Sequence, residues 1–148
     1  PVVLLEDIAA LLGLVLARLA RLDDRRFQDA ADQQLRFLAA EAETAPISHA
    51  FALIALLETL HPAGELVIAS SGDSLPAGLA DLLARLARPG LLAVHKTPAA
   101  AHALQQAAPF IAGYPLPRQG AAYYLCRGRA CGAPVYDLDA LEQAMGEG

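Results

Sequence analysis

Tryptophan is absent from this chain, phenylalanine and tyrosine number four each, and methionine occurs once. A core without large rings must be built from Leu, Ala, Val and Ile, the residues of helices and buried parallel strands. Cysteine is scarce, with two residues in 148. That scarcity argues against the dense disulfide framework of small secreted domains and for a reducing, cytoplasmic setting. Positive charge is in deficit: 11 basic and 16 acidic residues leave a net charge of -5, and no block of Lys and Arg occurs. Such a chain lacks a phosphate-neutralising surface, so a nucleic-acid partner is not expected. Long apolar runs are missing as well. The longest apolar helical stretch, Ile8 to Ala17, is flanked by Glu6-Asp7 and Arg18 and falls short of the ~20 residues a bilayer span needs. No membrane partner is expected. The start is also unlike a signal peptide, since it opens on Pro1 and reaches two acids by Asp7. Without an initiator Met, the expectation is a trimmed or internal fragment of a longer protein.

What is present is strong periodicity. Ile8, Leu11, Leu12, Val15, Leu16 and Leu19 recur at helical spacing and predict a helix over 4–22, with Glu6 and Asp7 in its first turn and Arg18 and Arg21 in its last, as the macrodipole favours. A second helix is predicted over 25–43, with Phe27, Ala30, Ala31, Leu35 and Leu38 as its stripe; Asp23-Asp24 forms the short connection of an antiparallel pair. A third, over 47–60, is apolar nearly all round and is therefore expected to be buried on several sides. His61-Pro62-Ala63-Gly64 ends it, and the pattern then changes.

From residue 65 onward short apolar runs alternate with amphipathic stretches. Strands are predicted at Glu65 to Ala69, Leu91 to His95 and Ala121 to Cys126, and helices near 76–87, 98–110 and 138–145. Such alternation predicts right-handed βαβ units on a parallel sheet. The chain thus divides into a helical segment, 1–62, and an α/β domain, 63–148. Arg127 to Ala130 reads as a four-residue hairpin loop, with a return strand at 131–136 that Pro134 restricts to the sheet edge. Asp137 is placed to cap the last helix.

Across such a hairpin Cys126 and Cys131 would face each other at a distance compatible with a disulfide. Three readings follow: reduced structural thiols, a staple, or a redox pair whose thiolates Arg127 and Arg129 would favour. The spacing is C-x4-C, not the C-x-x-C of dithiol oxidoreductases, and no helix N-terminus follows the first cysteine. Metal is not expected, because His49, His61, His95 and His102 stand at no zinc-ligand spacing with a further ligand.

The loop Ser70-Ser71-Gly72-Asp73-Ser74 follows the first strand, where open α/β sheets bind anions or nucleotides. It is a candidate ligand loop, although neither G-x-G-x-x-G nor G-x-x-x-x-G-K-[ST] is present. Its plain alternative is a capped turn in which Asp73 or Ser74 starts the next helix. A hydrolase triad of Asp73, His95 and a nearby Ser lacks the G-x-S-x-G elbow.

The segment Tyr123-Tyr124-Leu125-Cys126-Arg127-Gly128-Arg129-Ala130-Cys131-Gly132-Ala133-Pro134, followed by Asp137-Leu138-Asp139-Ala140-Leu141, resembles the C-terminal signature of the thioredoxin-domain-containing proteins of the spermatogenesis-associated (YyaL-like) type. The run Glu65 to Ala69 with Gly72-Asp73 is similar to the strand and turn that precede that signature, and the helices before residue 62 resemble the end of the family's helical toroid. The resemblance implies a parent with a thioredoxin-like domain, an (α/α) barrel similar to N-acylglucosamine 2-epimerases and six-hairpin glycosidases, and this terminal piece. The catalytic residues of those parts would lie outside this chain, so none is assigned here. The resulting expectation is an α/β fold: N-terminal helices, then a small three-layer domain with a mainly parallel sheet and an antiparallel edge hairpin. Its expected role is a non-catalytic docking domain, partnered by the rest of its parent or by a second copy, with no cofactor.

Overall fold

A computed structural model describes residues 2–127 and 130–146, apart from the side chains of residues 2–4 and 6. The chain forms two compact units, Pro1–Pro62 and Ala63–Gly148. The fold is α/β, with three N-terminal helices followed by an α/β part built on a four-stranded sheet.

The first unit holds α1 (Val2–Leu22), α2 (Asp24–Thr44) and α3 (Ala50–Leu60). Its core is made of Ala10, Leu35, Leu38, Ala52 and Ala55, with Ala9, Leu14, Ala17 and Leu56 at its border. From the expected α2 stripe Ala31, Leu35 and Leu38 are buried, whereas Ala30 is exposed. On α1 the packing face is the small-residue row Ala10, Gly13, Ala17 and Ala20, which also recurs at helical spacing. Small residues let the helix backbones approach: a Cβ added at Gly13 would lie 2.5 Å from Leu38 Cδ1. Of the large apolar row expected to face inward, four members therefore face outward, with Ile8 54%, Leu11 60%, Leu12 48% and Val15 44% exposed, while Leu16 and Leu19 are half-buried.

The third helix departs from expectation in the same way. Pro46 to His49 form a turn closed by the His49 N–H on Pro46 O, so the helix starts at Ala50. It buries Ala52 and Ala55 and leaves Phe51, Ile54, Leu57 and Leu60 exposed. Arg18 and Glu58 join α1 to α3 through an ion pair of 2.9 Å, worth at most about 1 kcal/mol at an exposed site.

The second unit contains β1 (Glu65–Ser70), α4 (Leu79–Leu86), β2 (Leu92–Lys96), α5 (Ala101–Ala107), a 3-10 turn (Pro109–Gly113), β3 (Ala121–Arg127), β4 (Ala130–Cys131) and α6 (Leu138–Gly146). The strand order is β2-β1-β3-β4. Strands β1 and β2 are parallel, whereas β3 lies antiparallel to β1 and β4 antiparallel to β3. The antiparallel edge hairpin is present, and the parallel part is confined to β1 and β2. The reason lies in the connection from β2 to β3. Pro109 has no amide hydrogen and disfavours helix at Ala108, so α5 stops after seven residues. Pro115 and Pro117 hold an extended return, and Gly120 turns at φ +70 into β3, whose first residue pairs with Ser70. The chain comes back to the sheet end it left, and β3 must run the other way.

Alternation along the strands separates two faces. Leu66, Ile68 and Tyr123 join Leu79 and Leu82 of α4 and Leu141 and Met145 of α6 in one core; each buried aliphatic side chain there contributes about 1.5–3 kcal/mol. Val67, Ala69, Tyr124 and Cys126 occupy the other face, where Lys96 reaches the 3-10 turn. Helices α4 and α6 thus cover the first face, and the 3-10 turn is held against the second through Lys96. Helix α4 begins at Gly78 in the left-handed conformation with no side-chain cap, so neither Asp73 nor Ser74 is its N-cap. Asp137 does cap α6, accepting the Ala140 N–H at 2.8 Å.

Candidate functional site

The hairpin is where this chain places sulfur chemistry. Arg127 pairs with Ala130 and Cys126 with Cys131, so strand pairing continues closer to the tip than the predicted four-residue loop allows. Residues 128 and 129, and with them the candidate tuning residue Arg129, lie outside the described residues. The Gly132 N–H donates to Leu125 O at 3.1 Å, which makes the neighbouring cysteine pair one without its own ladder bonds. Side chains approach most closely at such a pair. The two sulfurs form a disulfide across a Cα–Cα distance of 3.9 Å. Beyond it, Tyr123 and Val135 exchange two backbone hydrogen bonds of 2.8 and 3.0 Å. Pro134 sits in this returning edge segment, where a missing amide hydrogen is tolerated.

The sulfurs differ in surroundings. Cys126 is buried, whereas Cys131 on the edge strand is exposed. The hydroxyl of Tyr114 lies 2.7 Å from Cys131 Sγ and 3.3 Å from Cys126 Sγ. Disulfide sulfurs carry no hydrogen, so the phenol is the donor. Its ring packs edge-on against Tyr124, with centroids 4.8 Å apart, and against Phe110 at 6.2 Å. The backbone of Tyr114 is fixed by Lys96, whose buried Nζ donates to Tyr114 O at 2.6 Å and to Ile111 O at 3.0 Å. Burial pushes the Lys96 ammonium below its ordinary value. Burial, then the Glu65 carboxylate and Tyr124, push the Tyr114 phenol above its ordinary value and keep it protonated.

Arg127 does not stand beside these sulfurs. It follows Cys126 on the strand and therefore points to the opposite face, where its guanidinium donates to Ala144 O of α6 at 3.4 Å. The residue that touches both sulfurs is Tyr114, which the sequence reading missed. Twelve positions before Cys126, in a proline-rich connection, it carries no spacing signal.

The candidate ligand loop 70–74 lies at the other end of the sheet. Ser70 Oγ donates to Gly72 O at 2.7 Å and lies 2.7 Å from His95 Nε2. With its one proton on Gly72 O, the hydroxyl accepts from His95, which fixes the Nε2–H tautomer and leaves Ser70 without a base. Burial lowers the His95 imidazole below its ordinary value, and the Asp73 charge opposes this. Asp73 Oδ1 accepts the Ala99 N–H at 3.0 Å, and Ser71 gives both its N–H, at 2.9 Å, and its hydroxyl, at 3.2 Å, to Gly120 O. These groups tie three loops together. Ser74 is exposed.

The histidines are dispersed: His49 and His61 flank the two ends of α3, His95 lies in β2 and His102 in α5. Among the described residues no group of three or more His, Cys, Asp or Glu side chains is placed to hold a metal ion, and no helix is long and apolar enough to cross a membrane. No protein-family model, no curated protein and no solved structure matches this chain.

Proposed function

We propose that this chain is a docking module, seated through its helical unit against apolar helices of a larger protein, in keeping with the resemblance to the terminal region of the thioredoxin-domain-containing family. The observation that carries this reading is the inverted packing of α1 and α3. Their small residues make the core while Leu11, Phe51, Leu57 and Leu60 stand more than half exposed. Exposed apolar residues on a monomer are usually scattered singly, whereas here they recur along both helices. Uncharged helical surface of this kind belongs to obligate contacts, whose cores are depleted in charge.

The docking role asks no chemistry of the second unit. We read its β-α-β then β-β-α path as thioredoxin-like in topology, a likeness of architecture that carries no activity by itself. A dithiol motif would stand beside the βαβ unit, yet the segment after β1 is Ser71-Gly72-Asp73-Ser74, and the cysteines lie at the opposite end of the sheet. In isolation the uncovered helical face takes a second copy. Light scattering of the purified chain should therefore give a dimer that Leu11→Glu with Leu57→Glu converts to a monomer. A wild-type chain that stays monomeric at high concentration and binds no apolar dye refutes the docking face.

A further inference from the structure

We propose that the Cys126–Cys131 disulfide is a thiol-exchange site, attacked by a small thiol at Cys131, with Cys126 as the leaving sulfur and Tyr114 as the hydrogen-bond donor that stabilises the thiolate it leaves. The docking role does not use this site, and each can fail without the other.

The argument begins with access. A thiolate attacks a disulfide in line, approaching one sulfur from the side opposite the other. Cys131 is exposed on a two-residue edge strand and is the sulfur that an incoming thiolate can reach, while Cys126 is buried on β3 between β1 and β4. Attack at Cys131 forms a bond between the incoming sulfur and Cys131 Sγ and breaks the Cys131–Cys126 bond, whose electron pair leaves on Cys126 Sγ. No oxidant is required at this step. A second thiolate of the same kind then attacks the incoming sulfur of the mixed disulfide, releasing the small disulfide and the Cys131 thiolate. Two thiols are oxidised and the protein disulfide is reduced by two electrons.

The leaving sulfur carries negative charge in a buried place, which is unfavourable without a donor. Glu65 pairs with Cys126 across β1 and β3 and adds a carboxylate to the same face, so the need is greater. Tyr114 meets it: the hydroxyl already lies within hydrogen-bond distance of both sulfurs, Lys96 fixes its backbone, and its raised pKa keeps the proton available. A hydrogen bond to a charged group is about twice as strong as one to a neutral group, so this contact strengthens as the sulfur–sulfur bond breaks. The two Tyr123–Val135 hydrogen bonds hold the returning segment independently of the disulfide. Cys131 therefore stays within reach, and Cys126 can re-form the bond by an intramolecular step.

The test uses the oxidised chain and glutathione. Brief exposure to millimolar glutathione, acid quenching and peptide mass mapping should place the mixed disulfide on Cys131. Tyr114→Phe keeps the ring and removes the donor; it should slow the reduction by roughly tenfold, the effect of one charge-assisted hydrogen bond. The melting temperature of the oxidised variant should stay that of the parent. Glutathione found on Cys126, an unchanged rate in Tyr114→Phe, or a disulfide inert to glutathione would each overturn the assignment.

Discussion

Two neighbouring substitutions in α1, Leu11→Glu and Ala10→Leu, separate the observed packing from the packing its apolar pattern suggests. Leu11 is 60% exposed and Ala10 only 3%. Burying a whole Leu side chain contributes about 1.5–3 kcal/mol, so replacing the minority part of Leu11 that is covered should cost the helical unit about 1 kcal/mol. Ala10→Leu drives extra carbons into a seam already closed by Leu38 and Gly13, and overpacking of that kind costs about 1–3 kcal/mol. Had the large row faced the core, the order would reverse, because a carboxylate would then be buried without a partner. Urea titrations followed by helical circular dichroism, at concentrations where light scattering reports single copies, decide between the two. A lower urea midpoint for Leu11→Glu than for Ala10→Leu refutes the inverted packing. Association supplies the complementary readout. Covering the rest of Leu11 in a contact is worth about 1–2 kcal/mol, roughly a tenfold change in dissociation constant, so Leu11→Glu should weaken a dimer at least as much as it weakens the fold.

Two further substitutions test the α/β unit. Gly64 adopts φ +100, and a Cβ there would collide with the carbonyl oxygen of Cys126; Gly64→Ala should destabilise by about 2 kcal/mol or more through backbone strain and contact, and a change in urea midpoint within error of zero would contradict the turn. His95 is held below its ordinary pKa by burial, with Asp73 opposing. Between the folded value and about 6.5 the unfolded chain therefore binds more protons, so stability is complete above that window, falls on acidification through it and levels off below the folded value. Denaturation midpoints measured from about pH 8 to 5 should show this slope, and His95→Gln should lack it; an unchanged slope in the variant would assign the acid sensitivity elsewhere.

The elements were legible where the signal was local. Cys126 and Cys131 meet because one hairpin brings them together, and five positions of sequence suffice to anticipate it. Asp137 lies directly ahead of the helix it caps. The faces of α1 and α3 were not legible, because hydrophobicity reports which side chains avoid water and not which neighbour removes them from it. Ala10, Gly13, Ala17 and Ala20 share the helical period with the large row, and the choice between rows depends on how closely Leu38 can approach. Tyr114 was hidden for a different reason. Its position is set by a lysine eighteen residues earlier that holds its carbonyl, and by a ring contact with the strand that follows.

The two ends of the sheet use their polar groups differently, and this decides where chemistry can occur. At the carboxyl ends of β1 and β2 the proton of Ser70 is spent on Gly72, Asp73 holds the Ala99 amide and Ser71 holds Gly120, so these groups close loops instead of facing a substrate. At the opposite end an exposed sulfur is bonded to a buried one, and a protonated phenol reaches both. A bond between unequal sulfurs breaks with a preferred direction, because the attacker needs access and the leaving group needs a donor. Arg127, though adjacent in sequence, supplies neither, since strand alternation turns it toward Ala144. The direction of exchange is therefore set by Tyr114 and by the edge position of Cys131, two consequences of tertiary structure that the C-x4-C spacing alone does not contain.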